Sequence, residues 1–394
     1  MKVAKKEKIL ILTGNYGEGH VQVANALNEA IQIRFPTLES IIVDFMEWVH
    51  PYSNQVSRFL FLQGVKNFPE IYGYIYQKTR KMNTFSNMMK KFLSTGIGRM
   101  KTLIDEVQPT VVVSTFPLAA AVMSKLKSYG LSNVITMTTI TDHTDHSSWI
   151  YPNTDQYLVG SNAVREALIK LGVEIDRITV SGIPIRQQFS QTFHREKICE
   201  KYGLDCNMPT VLVMGGGYGL IGDGGSTFQR FEEIPKQVQL FIVCGYNEKL
   251  QMQLKEMLKG SKHLVHVTGY IHYVHEIMAI SDVMITKPGG VTTFEAIAMK
   301  LPMLLYKPIP GQEQDNAKFL VCSGVAIEAK NERELTDLLT KLLCNVKLLQ
   351  EMRENSKRFH PKEAAFALVK VIEAINRTKE KQYPIKDFMY SLSY

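Results

Sequence analysis

The sequence has no apolar run long enough to cross a bilayer. Its longest nearly apolar stretch, Val111 to Met123, carries Ser114, Thr115 and Pro117, and it falls short of the ~20 residues a span needs. A secretory leader is not expected either. Lys2, Lys5, Lys6 and Lys8 precede only Ile9 to Leu12 before Thr13-Gly14, against the ~7–15 apolar residues of a leader core. Cysteine is scarce, with five in 394 residues and no CxxC pair. That argues against a disulfide framework and fits a reduced, cytosolic compartment. Low-complexity tracts and short-period repeats are missing too. The 45% hydrophobic and 21% charged residues describe an ordinary globular chain, of two or three domains at ~150 residues each.

Acid is what one segment lacks. Residues 51–101 hold Arg58, Lys66, Lys78, Arg80, Lys81, Lys90, Lys91, Arg99 and Lys101 against the single acid Glu70, a net +8 that equals the charge of the whole chain. Interleaved with them are Tyr52, Phe59, Phe61, Phe68, Tyr72, Tyr74, Tyr76, Phe85 and Phe92. Cations held by surface potential, with rings at headgroup level, suit an anionic bilayer at ~1 kcal/mol per basic residue. The spacing predicts a helix over Asn83 to Leu103, with Phe85, Met88, Met89, Phe92, Leu93 and Ile97 on one face. Two readings stand: a membrane-contact surface (Arg58, Phe59, Phe61, Lys78, Arg80, Lys81, Phe85, Lys90, Lys91, Phe92), or a helical insertion whose rings pack on its own domain. A nucleic-acid partner is not expected, because no recognition motif accompanies the patch.

Strand and helix alternate through the rest. Lys8–Thr13, Ser40–Asp44, Val111–Ser114, Val134–Ile140, Gln156–Val159 and Ile178–Ser181 read as strands, with a helix over Val21–Arg34. The pattern restarts with strands at Thr210–Met214, Gln239–Cys244, Leu264–Val267, Val283–Thr286 and Met303–Tyr306 and a helix over Asn247–Lys259. Two successive series, each opening with a strand and a Gly-rich turn, predict two doubly wound α/β domains. The expected division is residues 1–185, 186–362 and 363–394. The last piece is a helix over Glu363 to Arg377, crossing back to the first domain, and a poorly ordered tail.

The first turn reads Gly14-Asn15-Tyr16-Gly17-Glu18-Gly19-His20. Its G-x-x-G-x-G spacing is not the dinucleotide fingerprint, and Asp44 comes 25 residues after Gly19 rather than ~20. A helix start offers free N–H groups, and an imidazole at its mouth is a candidate general base. The second turn, Gly215-Gly216-Gly217-Tyr218-Gly219 with Gly222, Gly224 and Gly225 beyond it, suits a diphosphate cradled by backbone N–H groups.

Four further stretches complete a set: Thr141-Asp142-His143-Thr144-Asp145-His146-Ser147-Ser148-Trp149; Gly182-Ile183-Pro184-Ile185-Arg186; Thr286-Lys287-Pro288-Gly289-Gly290 with Glu295; and Pro310-Gly311-Gln312-Glu313 with Asn316-Ala317. With Gly17 to His20, this set resembles the bacterial processive diacylglycerol glucosyltransferases and the plant monogalactosyldiacylglycerol synthases. More distantly it is similar to the enzyme that adds N-acetylglucosamine to the lipid-linked peptidoglycan precursor. The resemblance covers the chain from Lys8 to Lys357.

It implies a glycosyltransferase B-type fold of two Rossmann-like domains facing a cleft, with a UDP-sugar in the C-terminal half and a lipid acceptor in the N-terminal half. By position it implies Glu295 on the ribose, Gln312 and Glu313 on sugar hydroxyls, Tyr270 and Ile271 along the uracil, and Gly217, Lys287, Gly289 and Gly290 at the diphosphate. Gly17, Gly19, His146 and Trp149 fall on the acceptor side. The implied chemistry is inverting transfer of a hexose, read as glucose, to diacylglycerol or a glycosyl-diacylglycerol, with His20 or Asp142 as base. No metal or other cofactor is expected. The expected location is cytoplasmic, peripheral on the inner face of the cell membrane. Two alternatives stand beside it on the same fold: a nucleotide-sugar epimerase or hydrolase, and a non-catalytic sensor of UDP-sugar. One departure from the family is a second Asp-His pair, Asp145-His146, which gives that stretch the look of a metal-ligand cluster. The other is a longer glycine loop from Leu220 to Ser226.

Overall fold

The computed structural model describes residues 7–84, 86, 96–217, 219, 225–359 and 363–382, with 374–382 in backbone only. The tail beyond them, most of the Leu220 to Ser226 loop, and Phe85, Met88, Met89, Lys90, Lys91, Phe92 and Leu93 lie outside the described residues.

Two six-stranded sheets, every neighbouring pair parallel, make the frame. The first contains β1 (Lys8–Thr13), β2 (Glu39–Asp44), β3 (Val111–Ser114), β4 (Ile135–Thr139), β5 (Gln156–Val159) and β6 (Ile178–Val180), in the order β2-β1-β3-β4-β5-β6. The second contains β7 (Thr210–Met214), β8 (Gln239–Val243), β9 (Leu264–Thr268), β10 (Val283–Thr286), β11 (Met303–Tyr306) and β12 (Ala326–Ala329), in the order β12-β11-β10-β7-β8-β9. The inner strands are β-branched and leucine runs buried on both faces, such as Ile9 to Leu12 and Val211 to Val213, as helix-covered parallel sheets require. In each sheet the chain reverses its order of addition once, between β1 and β3 and between β7 and β10. Those are the points where the strand ends leave a crevice open to a ligand. Both Gly-rich turns sit there.

The elements depart from expectation in three places. The first helix runs Glu18–Arg34 with Gly17 as its N-cap, so His20 lies in the first turn of the helix rather than ahead of it. β12 has no long apolar run to announce it. The helix expected across Asn83 to Leu103 is not continuous. Gly96 stands at φ 93 with a Cβ position only 1.9 Å from Val49 Cγ1, and it separates the helix Ile97–Val107 from what precedes it. The basic, aromatic segment instead builds two helices the spacing did not reveal, Asn54–Asn67 and Pro69–Thr79, with Pro69 in the first turn of the second.

The last helix, Ala364–Gln382, returns to the first domain and lies against Glu18–Arg34. Small residues let the two approach, Ala26 and Ala30 on one and Ala365 and Val369 on the other, and Arg34 Nε pairs with Glu373 Oε1 at 3.1 Å. Leu368 is fully buried in the main core. Leu368→Ala is expected to cost about 2–5 kcal/mol, read as a fall in melting temperature with strand content in circular dichroism unchanged.

Candidate functional site

The ends of β1 and β4 bring the N-terminal half of the site together. Thr13 ends β1, the Gly14 to Gly17 turn follows, and the helix Glu18–Arg34 points its first turn into the crevice. Thr115 Oγ1 donates to the carbonyl of His20 at 3.1 Å, and the imidazole packs between Phe116 and the buried Trp149, with centroids 5.3 and 6.0 Å away. Its Nδ1 is 3.2 Å from Thr141 Oγ1. Thr141 and Asp142 leave the end of β4, so the strand delivers the carboxylate to the histidine. Burial lowers the His20 pKa below the ordinary imidazole range, and the Asp142 charge pulls the other way. Burial raises the Asp142 carboxyl, opposed by hydrogen bonds from Asn316 and Thr141 and by His20.

The C-terminal half is built the same way. Lys287, Pro288 and Gly289 leave β10 and cap the helix Gly290–Ala298. Glu295 lies in mid-helix rather than at the start, 7% exposed, and desolvation pushes its carboxyl up to about 8 against the pull of Arg186. Arg186 in turn donates through Nε to Glu29 Oε1 at 2.8 Å. The loop after β11 leads through Gly311, at φ 115, to the helix Gln312–Cys322. There the half-buried Glu313 accepts from the Ile309 N–H at 2.7 Å, and desolvation raises its carboxyl against the pull of Lys287 and of that hydrogen bond. After β9, Tyr270 stacks on Tyr246 at 4.5 Å and Ile271 turns into the core.

The two halves meet in contact. A Cβ on Gly290 would fall 2.0 Å from the Thr141 carbonyl oxygen and 3.1 Å from Asp142 Oδ1. One on Gly217 would fall 2.6 Å from Glu18 Cγ, so the two Gly-rich turns face each other, whereas Gly17 has open space around it and Gly19 only Val291 at 3.4 Å. Asn316, fully buried, is the bridge. Its Nδ2 donates to Asp142 Oδ1 and to the Pro288 carbonyl, both at 2.9 Å, and its Oδ1 accepts from the His143 N–H at 2.7 Å. The His143 ring stacks on Phe319 at 3.7 Å, and burial drives its pKa to about 3.

The second Asp-His pair is not a ligand cluster. Asp145 pairs with Arg80 at 2.7 Å. His146 accepts from the Ser148 N–H through Nδ1 and lies 4.2 Å from the Tyr76 ring, with Nε2 3.0 Å from the Tyr76 carbonyl. It braces the helix Pro69–Thr79 rather than facing an acceptor. Among the described residues no group of three or more His, Cys, Asp or Glu is placed to hold a metal ion.

Arg80, expected at a membrane surface, is instead turned inward. It grips Asp315 at 2.8 and 3.0 Å as well as Asp145. Beside it Tyr76 reaches Thr144 and Asp315, and Tyr72 donates to Gln312. These tyrosines, with Asn316 and Arg186, are the site residues that sequence reasoning did not single out. Each has at least one partner more than 150 residues away, and only Asn316 and Arg186 stand inside a quoted motif. On the outer side Val56, Phe59, Leu60, Phe68, Ile71 and Tyr74 are each at least 58% exposed. Lys78 and Lys81 are exposed among them, Arg58 is half-buried, and Phe61 packs edge-on against Tyr16.

Comparison with known proteins agrees with this layout. Residues 20–185 match the monogalactosyldiacylglycerol synthase family and residues 227–359 the group 1 glycosyl transferases. A processive diacylglycerol β-glucosyltransferase of Bacillus cereus is 34% identical over 384 residues, 97% of each chain. Among solved structures, S. aureus MnaA in its UDP co-structure superposes with a TM-score of 0.64 at 15% identity, covering 94% of this chain and 97% of that one. Acinetobacter baumannii MurG superposes with a TM-score of 0.60 at 14% identity, covering 94% and 100%. Both structural likenesses are likenesses of fold.

Because Gly290 leaves no space for a methyl group, Gly290→Ala is expected to hold the halves apart. Turnover should fall about 100-fold, the scale of a 1 Å misplacement, with the melting temperature little changed.

Proposed function

The chain belongs to the family of the processive diacylglycerol β-glucosyltransferases, and from that premise we propose that it transfers a hexose, glucose in the first place, from a UDP-sugar to diacylglycerol or to a glycosyl-diacylglycerol at a membrane surface. The fold alone does not separate this from the epimerase reading, since epimerase-type and transferase-type neighbours superpose equally well. The observation that carries the transferase reading is the His20–Thr141–Asp142 group set against the first turn of the donor helix.

Thr141 has one hydroxyl proton. Donated to the Asp142 carboxylate, it leaves the oxygen to accept from His20 Nδ1–H, and Nε2 is then the basic nitrogen. A lowered pKa keeps that nitrogen unprotonated at neutral pH. Nε2 takes the proton of the acceptor hydroxyl as its oxygen attacks the anomeric carbon from the face opposite UDP. The bond from that carbon to the diphosphate oxygen breaks, and UDP leaves with the electron pair. The imidazolium so formed is stabilised by Asp142. Lys287 and the N–H groups opening the helix Gly290–Ala298 meet the charge on the leaving diphosphate, so no metal cofactor is assigned. Glu295 faces the ribose diol, and Gln312 and Glu313 the sugar hydroxyls. The exposed apolar positions of Asn54–Asn67 and Pro69–Thr79, with Lys78 and Lys81, form the surface that meets anionic lipid.

The direct test is incubation with UDP-glucose and diacylglycerol in anionic vesicles, followed by mass measurement of the lipid. A hexosyl-diacylglycerol is expected. His20→Ala should lower its formation by about 10²–10⁴-fold while leaving UDP affinity unchanged. Free UDP-sugar consumed with no glycolipid formed would favour an epimerase or hydrolase. The pH profile has a defined sign. The base must be unprotonated, so kcat/KM falls as pH drops through the His20 pKa, which lies below 6.5. Asp142→Asn removes the charge that raises this pKa, and the acid limb should move to still lower pH.

A further inference from the structure

The helix Pro69–Thr79 belongs to the N-terminal half, yet its inner face is fastened to the donor half. Gly73 lies flush on Pro310, where a Cβ would come within 2.4 Å of the proline ring. Tyr76 donates to Asp315 Oδ2 at 3.0 Å, and Arg80 takes both oxygens of the same carboxylate. Held by those anchors, Tyr72 places its hydroxyl on Gln312 Oε1. Its ring packs edge-on against Phe61 at 6.1 Å and close to Gly311, where a Cβ would fall 3.1 Å from Tyr72 Cε1. The phenol cannot act as an anion here. Burial, then the charges of Asp142 and Glu313, raise its pKa far above the usual range, so the group stays neutral and keeps the proton it gives to Gln312 Oε1.

A carboxamide presents an oxygen that only accepts and an NH2 that only donates, and it can exchange the two by turning over. Here the Tyr72 hydroxyl donates to the oxygen, which turns the NH2 group to the other side. We propose that Tyr72 is a positioning residue for the donor sugar, occupying Gln312 Oε1 so that the Gln312 NH2 group is the one offered to a sugar hydroxyl. The inference rests on the reading of Gln312 as a sugar contact. It assigns the setting of the donor-sugar subsite to a residue from the opposite domain. The effect is confined to the sugar, because the hydrogen bond reaches neither the Gly290 helix start nor the Tyr270 region.

Calorimetric titration of UDP-glucose and of UDP into the wild type, Tyr72→Phe, Gln312→Ala and the double variant tests it. Tyr72→Phe keeps the ring and removes only the hydroxyl. It should weaken UDP-glucose roughly 3- to 10-fold, the scale of one hydrogen bond, and leave UDP unchanged. In turnover the donor KM should rise by the same factor, with kcat and the acid limb of the pH profile held. Gln312→Ala should weaken UDP-glucose but not UDP, and the double variant should be no weaker than Gln312→Ala, since the Tyr72 effect passes through that amide. Unchanged UDP-glucose affinity in Tyr72→Phe overturns the proposal while the Gln312 reading stands. Equal losses for UDP and UDP-glucose, or additive losses in the double variant, overturn it as well, by pointing to a structural or separate role. If Gln312→Ala leaves UDP-glucose binding intact, the sugar-contact reading fails and this proposal fails with it.

Discussion

A buried carboxamide at the centre of the seam ties the two halves together. Asn316 has two N–H donors and one carbonyl acceptor, and each has a partner in the seam: Asp142, the Pro288 carbonyl and the His143 N–H. Neither Asp nor Leu could replace it. An Asp would set a second carboxylate against Asp142, and a Leu would remove the bonds to Asp142, the Pro288 carbonyl and the His143 N–H together. The rest of the site follows from this bridge. It brings Thr141 and Asp142 onto the start of the Gly290 helix, which accounts for the glycine there, since any side chain would strike the Thr141 carbonyl. It also fixes the His143 backbone, and so the ring that fills the seam against Phe319.

The stretch from Thr141 to Trp149 shows how far composition can mislead about chemistry. Two aspartates and two histidines within five residues have the density of a metal site. In the fold they diverge, because the chain there is irregular and successive side chains point to different neighbours. Asp142 faces His20 and Asn316, His143 enters the seam, Asp145 meets Arg80, and His146 supports the helix Pro69–Thr79. The residues that do converge, His20 and Asp142, come from the ends of two strands, β1 and β4.

The doubly wound architecture was legible because it is written locally. Buried parallel strands read as β-branched runs, and the turns after β1 and β7 carry their glycines in plain view. What stayed hidden is what depends on distant partners. Nothing near Arg80 says that its guanidinium will find Asp315, so among its basic neighbours it looks like one more surface charge. Nothing near Tyr72 names Gln312. The start of the first helix was set three residues late for a local reason: Gly17 and Gly19 weaken helix propensity, while the structure begins the helix at Glu18 because Gly17 serves as its cap. Gly96 worked the other way, since its positive φ breaks a helical period that the apolar spacing alone would have continued.

The helix Pro69–Thr79 joins these themes. Its outer side exposes Ile71, Tyr74 and Ile75, and its inner side carries Tyr72, Tyr76 and the adjoining Arg80. Residues three to four apart share a helix face, which is why Tyr72, Tyr76 and Arg80, spaced by four, all reach the C-terminal half, while Ile71, Tyr74 and Ile75 do not. An element with one face in solvent and the other locked to a partner domain cannot move on one side without consequence on the other. The pairs it forms are buried or half-buried, so losing them would leave Asp315 and Asp145 without the cation that balances them. The closed arrangement of the two halves is therefore set as much by this amphipathic helix as by the seam around Asn316, and the two act on the same short helix start, residues 312 to 316.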